Sequence, residues 1–342
     1  MSGQMNNDIL RAVVLKRRPS GEPLPEHFEI VEGAVPQPGV GEVLTRTIWL
    51  SIDPYMRGRL KDVTSYAAPV QIGEVMTGEN IGEVIASGDP GFVPGDIVGG
   101  ARGWQSHAVS KAGGLLKLDR HAAPLSAYLG VLGMPGTTAY SGMTDIGRPK
   151  KGETVVISAA SGAVGSVAGQ IAKRAGARVI GVAGGPDKCL WVQEALGFDE
   201  CIDHRVGNLD AALSDACPNG IDVYFENVGG ALQHAVFAQL NFHARVVMCG
   251  MVAQYNETEM PPGPNLGFVV GKRVRIEGLI VSDKPERLAE WRALAGPWVK
   301  EGSLHYRETV LDGLENAPEA LGGLLRGENF GKMLVKVGAD PV

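Results

Sequence analysis

The sequence predicts an α/β protein of two domains, a doubly wound parallel sheet joined to an antiparallel β domain. Three observations point there. A chain of 342 residues is long enough for two cores of roughly 150 residues each. Its texture changes near Pro124, from short apolar runs broken by turn clusters to a regular alternation of strand-like and helix-like segments. Glycine supplies 48 of the 342 residues, about twice the usual 7%, which signals many tight turns and close backbone approaches.

In chain order, MSGQMNNDIL is polar and reads as a loose tail. From Arg11 to about Asp119 the runs AVVLKR, HFEIVEG, EVLTRTIWLSI, GEVIASG, DIVGG and LLKLD are separated by PQPGVGE, SGDPGFVPGD and similar clusters, the pattern of antiparallel strands. PLSAYLGVLGMPGTTAYSGM is helix-compatible. After Gly152 the candidate strands TVVIS, ARVIGVA, ECIDH, IDVYFEN and ARVVMCG alternate with VGSVAGQIAKRAG, DKCLWVQEALG and GGALQHAVFAQL, as a doubly wound sheet requires. A strand RVRIEGLIV and a helix PERLAEWRALAGPWVKEG follow, and the helix ENAPEALGGLLRGE and strand KMLVKV return to the first domain. The expected boundaries are 1–128 for the β domain, 129–303 for the parallel domain and 304–342 for the returning segment.

Composition excludes several functions. With 44% hydrophobic and 20% charged residues the chain is of ordinary globular type. A net charge of -6 gives no basic face for nucleic acid. No apolar run reaches the roughly 18 residues of a membrane span, and the first thirty residues hold no signal-like core, so a cytoplasmic location is expected. Cys189, Cys201, Cys217 and Cys249 are widely spaced without a CxxC pair and read as small buried or half-buried residues. No metal is expected: no cysteine precedes Cys189, and His27, His107 and His121 lack ligand spacing and read as surface or turn histidines. No GxSxG elbow offers a hydrolase nucleophile.

The chemistry concentrates after TVVIS. In AASGAVGS, Gly162 and Gly165 are three apart and Gly169 lies a helical turn on, while Ala160 holds the place of the first glycine of GxGxxG. Gly162 lets the backbone approach a pyrophosphate, and the helix opening near Ala163 aims free N–H groups and the positive dipole end at it. The bland alternative is a strand-to-helix turn that merely needs glycines. An NAD site places an Asp or Glu about 20 residues on, at the end of the second strand, to bind the ribose hydroxyls. Here Ala183, Gly184 and Gly185 occupy that position. Small residues leave room for a 2′-phosphate, and Lys188 at the next helix start, with Arg205 after the third strand and His204 beside it, neutralises it. NADP is therefore expected over NAD, although Lys188 alone is also what a solvated surface lysine looks like, and Asp187 stands ready to pair with it.

The motifs SIDPYMRGRL, VLGMPGTTAY, AASGAVGSVAGQIAK, GGPDKC, DVYFENVGG, CGMVAQYN, PPGP and GENFGK run over nearly the whole chain. Together they resemble the zinc-independent medium-chain dehydrogenase/reductases, within them the leukotriene hydroxydehydrogenase and prostaglandin reductase group, and most of all its bacterial curcumin-reductase-like members. The resemblance implies a Rossmann domain plus a GroES-like β domain, NADPH as cofactor and a homodimer formed through the cofactor domains. It implies that Gly162, Ala163, Val164 and Gly165 cradle the pyrophosphate, that Lys188 contacts the 2′-phosphate and that Asn227 touches the cofactor ribose. Cys249, Gly250, Met251 and Val252, running on to Tyr255, would line the nicotinamide half together with Leu279, Ile280 and Val281, and Asn329 would reach it from the returning segment. His204 departs from the tyrosine of the mammalian members.

The group reduces the carbon–carbon double bond of α,β-unsaturated ketones and aldehydes, which implies hydride transfer to the β-carbon while charge builds on the carbonyl oxygen. Tyr255 matches the group's active-site tyrosine, and its phenol, with an ordinary pKa of about 10, keeps its proton at neutral pH. The nicotinamide ribose hydroxyl and water are alternative proton sources, and Tyr255 is otherwise a rim residue shaping the pocket. Tyr55, Tyr66, Met134 and Met251 are candidate apolar walls, each equally open to a reading as core. An NADPH:quinone reductase and a non-catalytic NADPH-binding sensor or structural protein remain open on the same residues.

Overall fold

The computed structural model describes residues 9–63 and 65–341. Most of the polar tail lies outside them, and its last two residues, Ile9 and Leu10, already belong to the first strand. The chain divides into two compact units. The first comprises residues up to Leu129, Thr309–Glu328 and the chain from Met333, and the second comprises Gly130–Glu308 and Asn329–Lys332. The segment expected as 304–342 is thus shared, residues 304–308 and Asn329–Lys332 clustering with the second unit.

The first unit is antiparallel. β1 (Ile9–Leu15) pairs with β2 (Phe28–Ala34). β3 (Glu42–Ile52) is followed by the short helix α1 (Tyr55–Arg59), then by β4 (Glu79–Ser87), β5 (Ile97–Ala101), β6 (His107–Lys111) and β7 (Leu116–Lys117). β3 is the hub, bonded to β4 and β6 and, from the C-terminal end, to the last strand. Leu50, Ile52, Met56, Leu60 and Trp104 pack there with Leu314, Leu321, Met333 and Val335, so the returning segment completes this core. Each such side chain contributes about 1.5–3 kcal/mol on burial.

The second unit opens with α2 (Met134–Ser141), which follows a 3-10 turn at Leu125–Leu129 and runs into a π-helical turn at Gly142–Gly147. The helix-compatible stretch is therefore three pieces, interrupted over 130–133, resumed with Pro135 in the first turn of α2, and passing into the π-helical turn at Gly142. Then come β8 (Thr154–Ile157), α3 (Gly165–Arg174), β9 (Arg178–Ala183), α4 (Pro186–Glu194), β10 (Glu200–Asp203), α5 (Leu209–Ala216), β11 (Ile221–Glu226), α6 (Gly230–Ala238), β12 (Leu240–Met248), α7 (Gly267–Lys272), β13 (Arg275–Gly278) and α8 (Glu286–Lys300). β14 (Glu308–Asp312), α9 (Ala317–Leu325) and β15 (Lys332–Lys336) close the chain. The six parallel strands are ordered β10-β9-β8-β11-β12-β13. The winding reverses between β8 and β11, where ligands bind in such sheets. β8 is wholly buried, which is why it reads as a continuous apolar run.

Elements absent from the sequence reading are β6, β14, α1, α5 and α7. β6 has only two buried residues among HAVSK. The short α5 is held by its cap, Asn208 Oδ1 accepting from the N–H groups of Asp210 at 3.0 Å and Ala211 at 3.2 Å. His107, expected as a surface or turn histidine, is buried in β6 at 3% exposure. Burial and then the Arg46 guanidinium push its imidazole below the ordinary value. Protonation is thus easier in the unfolded chain, so stability should rise with pH below about 6.5 and level off above it. Unfolding of His107→Gln should lose part of this slope between about pH 5 and 7, and an unaltered slope would assign it to other groups.

Gly169 shows how tightly α3 packs. A Cβ there would sit 1.8 Å from the Phe198 ring. Gly169→Ala should therefore destabilise, since overpacking costs about 1–3 kcal/mol against the ~1 kcal/mol alanine gains over glycine in a helix. Urea unfolding decides, and a stabilised variant would contradict this packing. Among the described residues no helix is long and apolar enough to cross a membrane.

Candidate active site

The loops at the carboxyl ends of the parallel strands gather most of the expected residues. After β8 the chain turns at Ala159, whose φ is +48°. Ala160 N–H bonds to Val182 O of β9 at 3.0 Å, Gly162 N–H to Ala159 O at 2.9 Å, and the α3 ladder starts with Ser166 N–H to Gly162 O at 3.0 Å. The N–H groups just before Ser166 have no earlier helical turn to bond to, as at every helix start. The three glycine positions differ in role. A Cβ at Gly165 would lie 2.3 Å from Ala159 O, so this residue serves the turn itself. At Gly162 the nearest atom would be the same oxygen at 3.1 Å, with nothing else but the Ala159 methyl within 4 Å, which leaves an open approach. Ala160 replaces the first glycine because its partner gave way: a Cβ on Gly181 of β9 would stand 2.9 Å from that of Ala160.

At the end of β9, Gly185 adopts φ +101°. A Cβ on Gly184 would meet both Arg205 Nε and His204 Nε2 at 2.9 Å, so the bare glycine is what lets these two side chains converge. Burial and then Arg205 lower the Lys188 ammonium below its ordinary value, and the same two causes lower His204. Two cations that repel each other beside a glycine are a site that an anion relieves. The sequence reading missed Asp203. Its Oδ1 accepts from Gly185 N–H at 2.9 Å and Arg205 N–H at 3.0 Å, and these bonds lower its carboxyl. The acid ends the third strand rather than the second, and its signal was the D-H-R run that follows ECI.

The second missed residue is Glu226, fully buried at the end of β11. Its Oε1 accepts from Val228 N–H at 2.7 Å, Gly229 N–H at 3.0 Å and Ser158 Oγ–H at 3.1 Å. Its backbone oxygen accepts from Cys249 and Gly250 N–H at 2.9 and 3.0 Å. One residue thereby pins the loops after β8, β11 and β12, and a carboxylate closing an otherwise apolar strand was the available sign. Asn227 is held within this network, its N–H on Ser158 Oγ at 2.7 Å and its Nδ2 on Ser158 O at 2.8 Å. The Cys249 thiol is pushed up to about 12 by burial and then by the Glu226 carboxylate, so it stays protonated. Val252 N–H bonds to Asn227 O at 3.0 Å. The Tyr255 hydroxyl folds back over this loop, accepting from Met251 N–H at 3.4 Å, and a Cβ on Gly250 would touch it at 3.0 Å.

Leu279 N–H bonds to Met248 O at 3.0 Å, which brings the segment from Leu279 through Ile280 to Val281 alongside the same strand ends. Asn329 is fixed by its Nδ2 on Gly331 O at 2.6 Å, and Gly331 N–H bonds to Ser161 O at 3.0 Å in a parallel bridge to Gly162. In the first unit, the Arg59 guanidinium lies over both Tyr55 and Tyr66, at 5.7 and 4.3 Å from their ring centres. Burial and then the Asp53 and Glu79 charges push the Tyr55 phenol up. Tyr66 is 59% exposed, a surface ring rather than a core one. Met134, in the second unit, is half-buried at the start of α2. Among the described residues no group of three or more His, Cys, Asp or Glu side chains is placed to hold a metal ion.

A doubly wound sheet with a glycine turn, paired cations at the second strand end and a tyrosine over the fifth-strand loop defines a dinucleotide-dependent oxidoreductase. Two family models match, described as the N-terminal domain of oxidoreductase over residues 11–118 and as zinc-binding dehydrogenase over 163–300. The chain is 50% identical over 336 residues to the NADPH-dependent curcumin reductase of Escherichia coli, covering 96% of this chain and 97% of that protein. It is 40% identical over 337 residues to the 2-alkenal reductase (NADP(+)-dependent) of Nicotiana tabacum, covering 96% and 98%. The solved structure of CurA from Vibrio vulnificus in complex with NADPH superposes with a TM-score of 0.92 at 46% identity, covering 96% of this chain and 100% of that one. The chain belongs to the zinc-independent medium-chain dehydrogenase/reductase family, in the group of the curcumin, 2-alkenal and prostaglandin reductases.

Proposed function

We propose that this protein uses NADPH to reduce the carbon–carbon double bond of α,β-unsaturated ketones and aldehydes. The observation that carries the reading is a set of three loops, pinned together by Glu226, that presents Tyr255 beside the strand ends. The whole-length identity to reductases of that name supports it.

The residues present fit the cofactor. Gly162 offers the open backbone approach and α3 its first N–H groups for the pyrophosphate. Lys188 and Arg205, with His204, take the 2′-phosphate, while Asp203 is occupied by backbone N–H groups. Asn227, Asn329, Cys249–Val252 and Leu279–Val281 flank the remainder. When bound, NADPH supplies a hydride from its nicotinamide C4 to the substrate β-carbon. Tyr255 donates a hydrogen bond to the carbonyl oxygen as negative charge gathers there, a role in which a well-placed donor contributes a few kcal/mol, and a proton drawn from solvent to the α-carbon completes the saturated product.

Initial rates of NADPH oxidation test the reading, with NADH as control, against an alkyl enone, a diaryl enone, a quinone and a saturated ketone. Turnover of the enones alone is expected. Turnover of the quinone alone would make the protein a quinone reductase, and tight NADPH binding without turnover a sensor.

We further propose a homodimer built along β13. Among the described residues this strand ends its sheet and its outer edge has no partner strand, and the segment before it exposes Met260 at 68%, Leu266 at 56% and Val270 at 83%. Light scattering during size-exclusion chromatography tests it, and a monomeric mass would refute it. A cytoplasmic location suits an NADPH consumer whose four cysteines are free thiols, and cell fractionation checks it.

A further inference from the structure

Arg307 stands between the two phosphate-binding features of the second unit, although nothing in the sequence reading singled it out. Its backbone oxygen accepts from Lys332 N–H at 2.9 Å, and a Cβ on Gly331, whose φ is +74°, would lie 1.9 Å from that oxygen. Only glycine permits so close an approach. Gly331 N–H in turn holds Ser161 O and pairs with Gly162. The Arg307 backbone is thereby fixed one short strand away from the turn that receives the pyrophosphate.

The side chain leads towards the other feature. The guanidinium carbon lies over Phe330, 4.4 Å from the ring centre, and 5.8 Å from the centre of Trp191. The two rings meet edge to face at 5.1 Å and 90°. Trp191 follows Lys188 by three residues on α4 and so neighbours it on one helix face. Among the described residues no carboxylate pairs with Arg307; ring faces are its partners. A guanidinium laid over aromatic rings keeps its N–H edges free for the bidentate geometry that phosphate accepts. The aromatic support also lowers the entropy lost when such a long side chain is fixed.

We propose that Arg307 is a cofactor-binding residue whose guanidinium, carried on Phe330 and Trp191, contacts a phosphate of the bound dinucleotide. The inference rests on the NADPH reading above. Isothermal titration of the full chain with NADPH, NADH, 2′,5′-ADP and 5′-AMP, for wild type, Arg307→Gln and Arg307→Lys, tests it. Arg307→Gln should weaken NADPH about tenfold, the effect of losing one charge-assisted contact at a partly exposed site, with Arg307→Lys in between. A loss on NADPH and 2′,5′-ADP that spares NADH and 5′-AMP identifies the 2′-phosphate. A loss shared by NADPH and NADH identifies the pyrophosphate, its adenosine-side phosphate where 2′,5′-ADP and 5′-AMP weaken as well and its nicotinamide-side phosphate where both are spared. Either supports the proposal. Affinities within about twofold of wild type for all four ligands in both variants, melting as wild type does, overturn it. If wild type binds NADH as tightly as NADPH, the cofactor reading falls instead, and the Arg307 variants are still judged on the ligand that binds.

Discussion

Lys188→Glu should weaken NADPH binding by about two to three orders of magnitude and leave NADH nearly unchanged. The variant removes a charge-assisted contact, typically about 1.5–3 kcal/mol. It also sets a carboxylate against the 2′-phosphate, a repulsion of about 4 kcal/mol at 4 Å and an effective dielectric constant near 20, reduced by salt at this half-exposed position. The two together leave about 3–4 kcal/mol, with roughly 1.4 kcal/mol per tenfold. Arg205 and His204 persist in the variant, so the neutral Lys188→Gln should show a milder loss. Titration with both cofactors over a range of salt reads the effect directly. Equal losses for NADPH and NADH would mean that Lys188 supports the fold of α4 rather than the 2′-phosphate.

Tyr255→Phe should lower kcat/KM for enones by about 10²-fold while the Kd for NADPH stays put, since removal of one oxyanion donor costs about 10²–10³ in rate. The variant keeps the ring. It loses the hydroxyl that lies against Gly250 and accepts from Met251 N–H at 3.4 Å, a bond too long to matter much for stability. Because the donor acts as charge builds, the loss should fall on kcat. Wild-type kcat/KM across several enones would remove Tyr255 from the chemistry and shift the donor role to the ribose hydroxyl or water.

The parallel sheet was legible because its inner strands β8, β9 and β11 are largely buried on both faces and so are rich in apolar residues, TVVI being wholly buried. The cations Lys188 and Arg205 were legible because a helix start and a strand end place them without tertiary knowledge. Asp203 and Glu226 were not. Their carboxylates matter through backbone N–H groups of turns, and only the folded chain shows that Gly185 and Arg205 share one oxygen, or that Glu226 ties Ser158 to Gly229. The substitution at Ala160 is explained by Gly181, on the neighbouring strand. Arg307, Trp191 and Phe330 lie far apart in sequence, and no local pattern announces that they meet. His107 was misread because HAVSK is too polar to look like a strand, yet β6 buries its first two residues against β3.

The central claim is double-bond reduction by hydride transfer to the β-carbon. Its most direct test is a single turnover with NADPH deuterated at nicotinamide C4, followed by NMR of the product from an alkyl enone. Deuterium on the β-carbon of a saturated ketone is the predicted result. Deuterium on the former carbonyl carbon, in an allylic alcohol with its double bond intact, would contradict it.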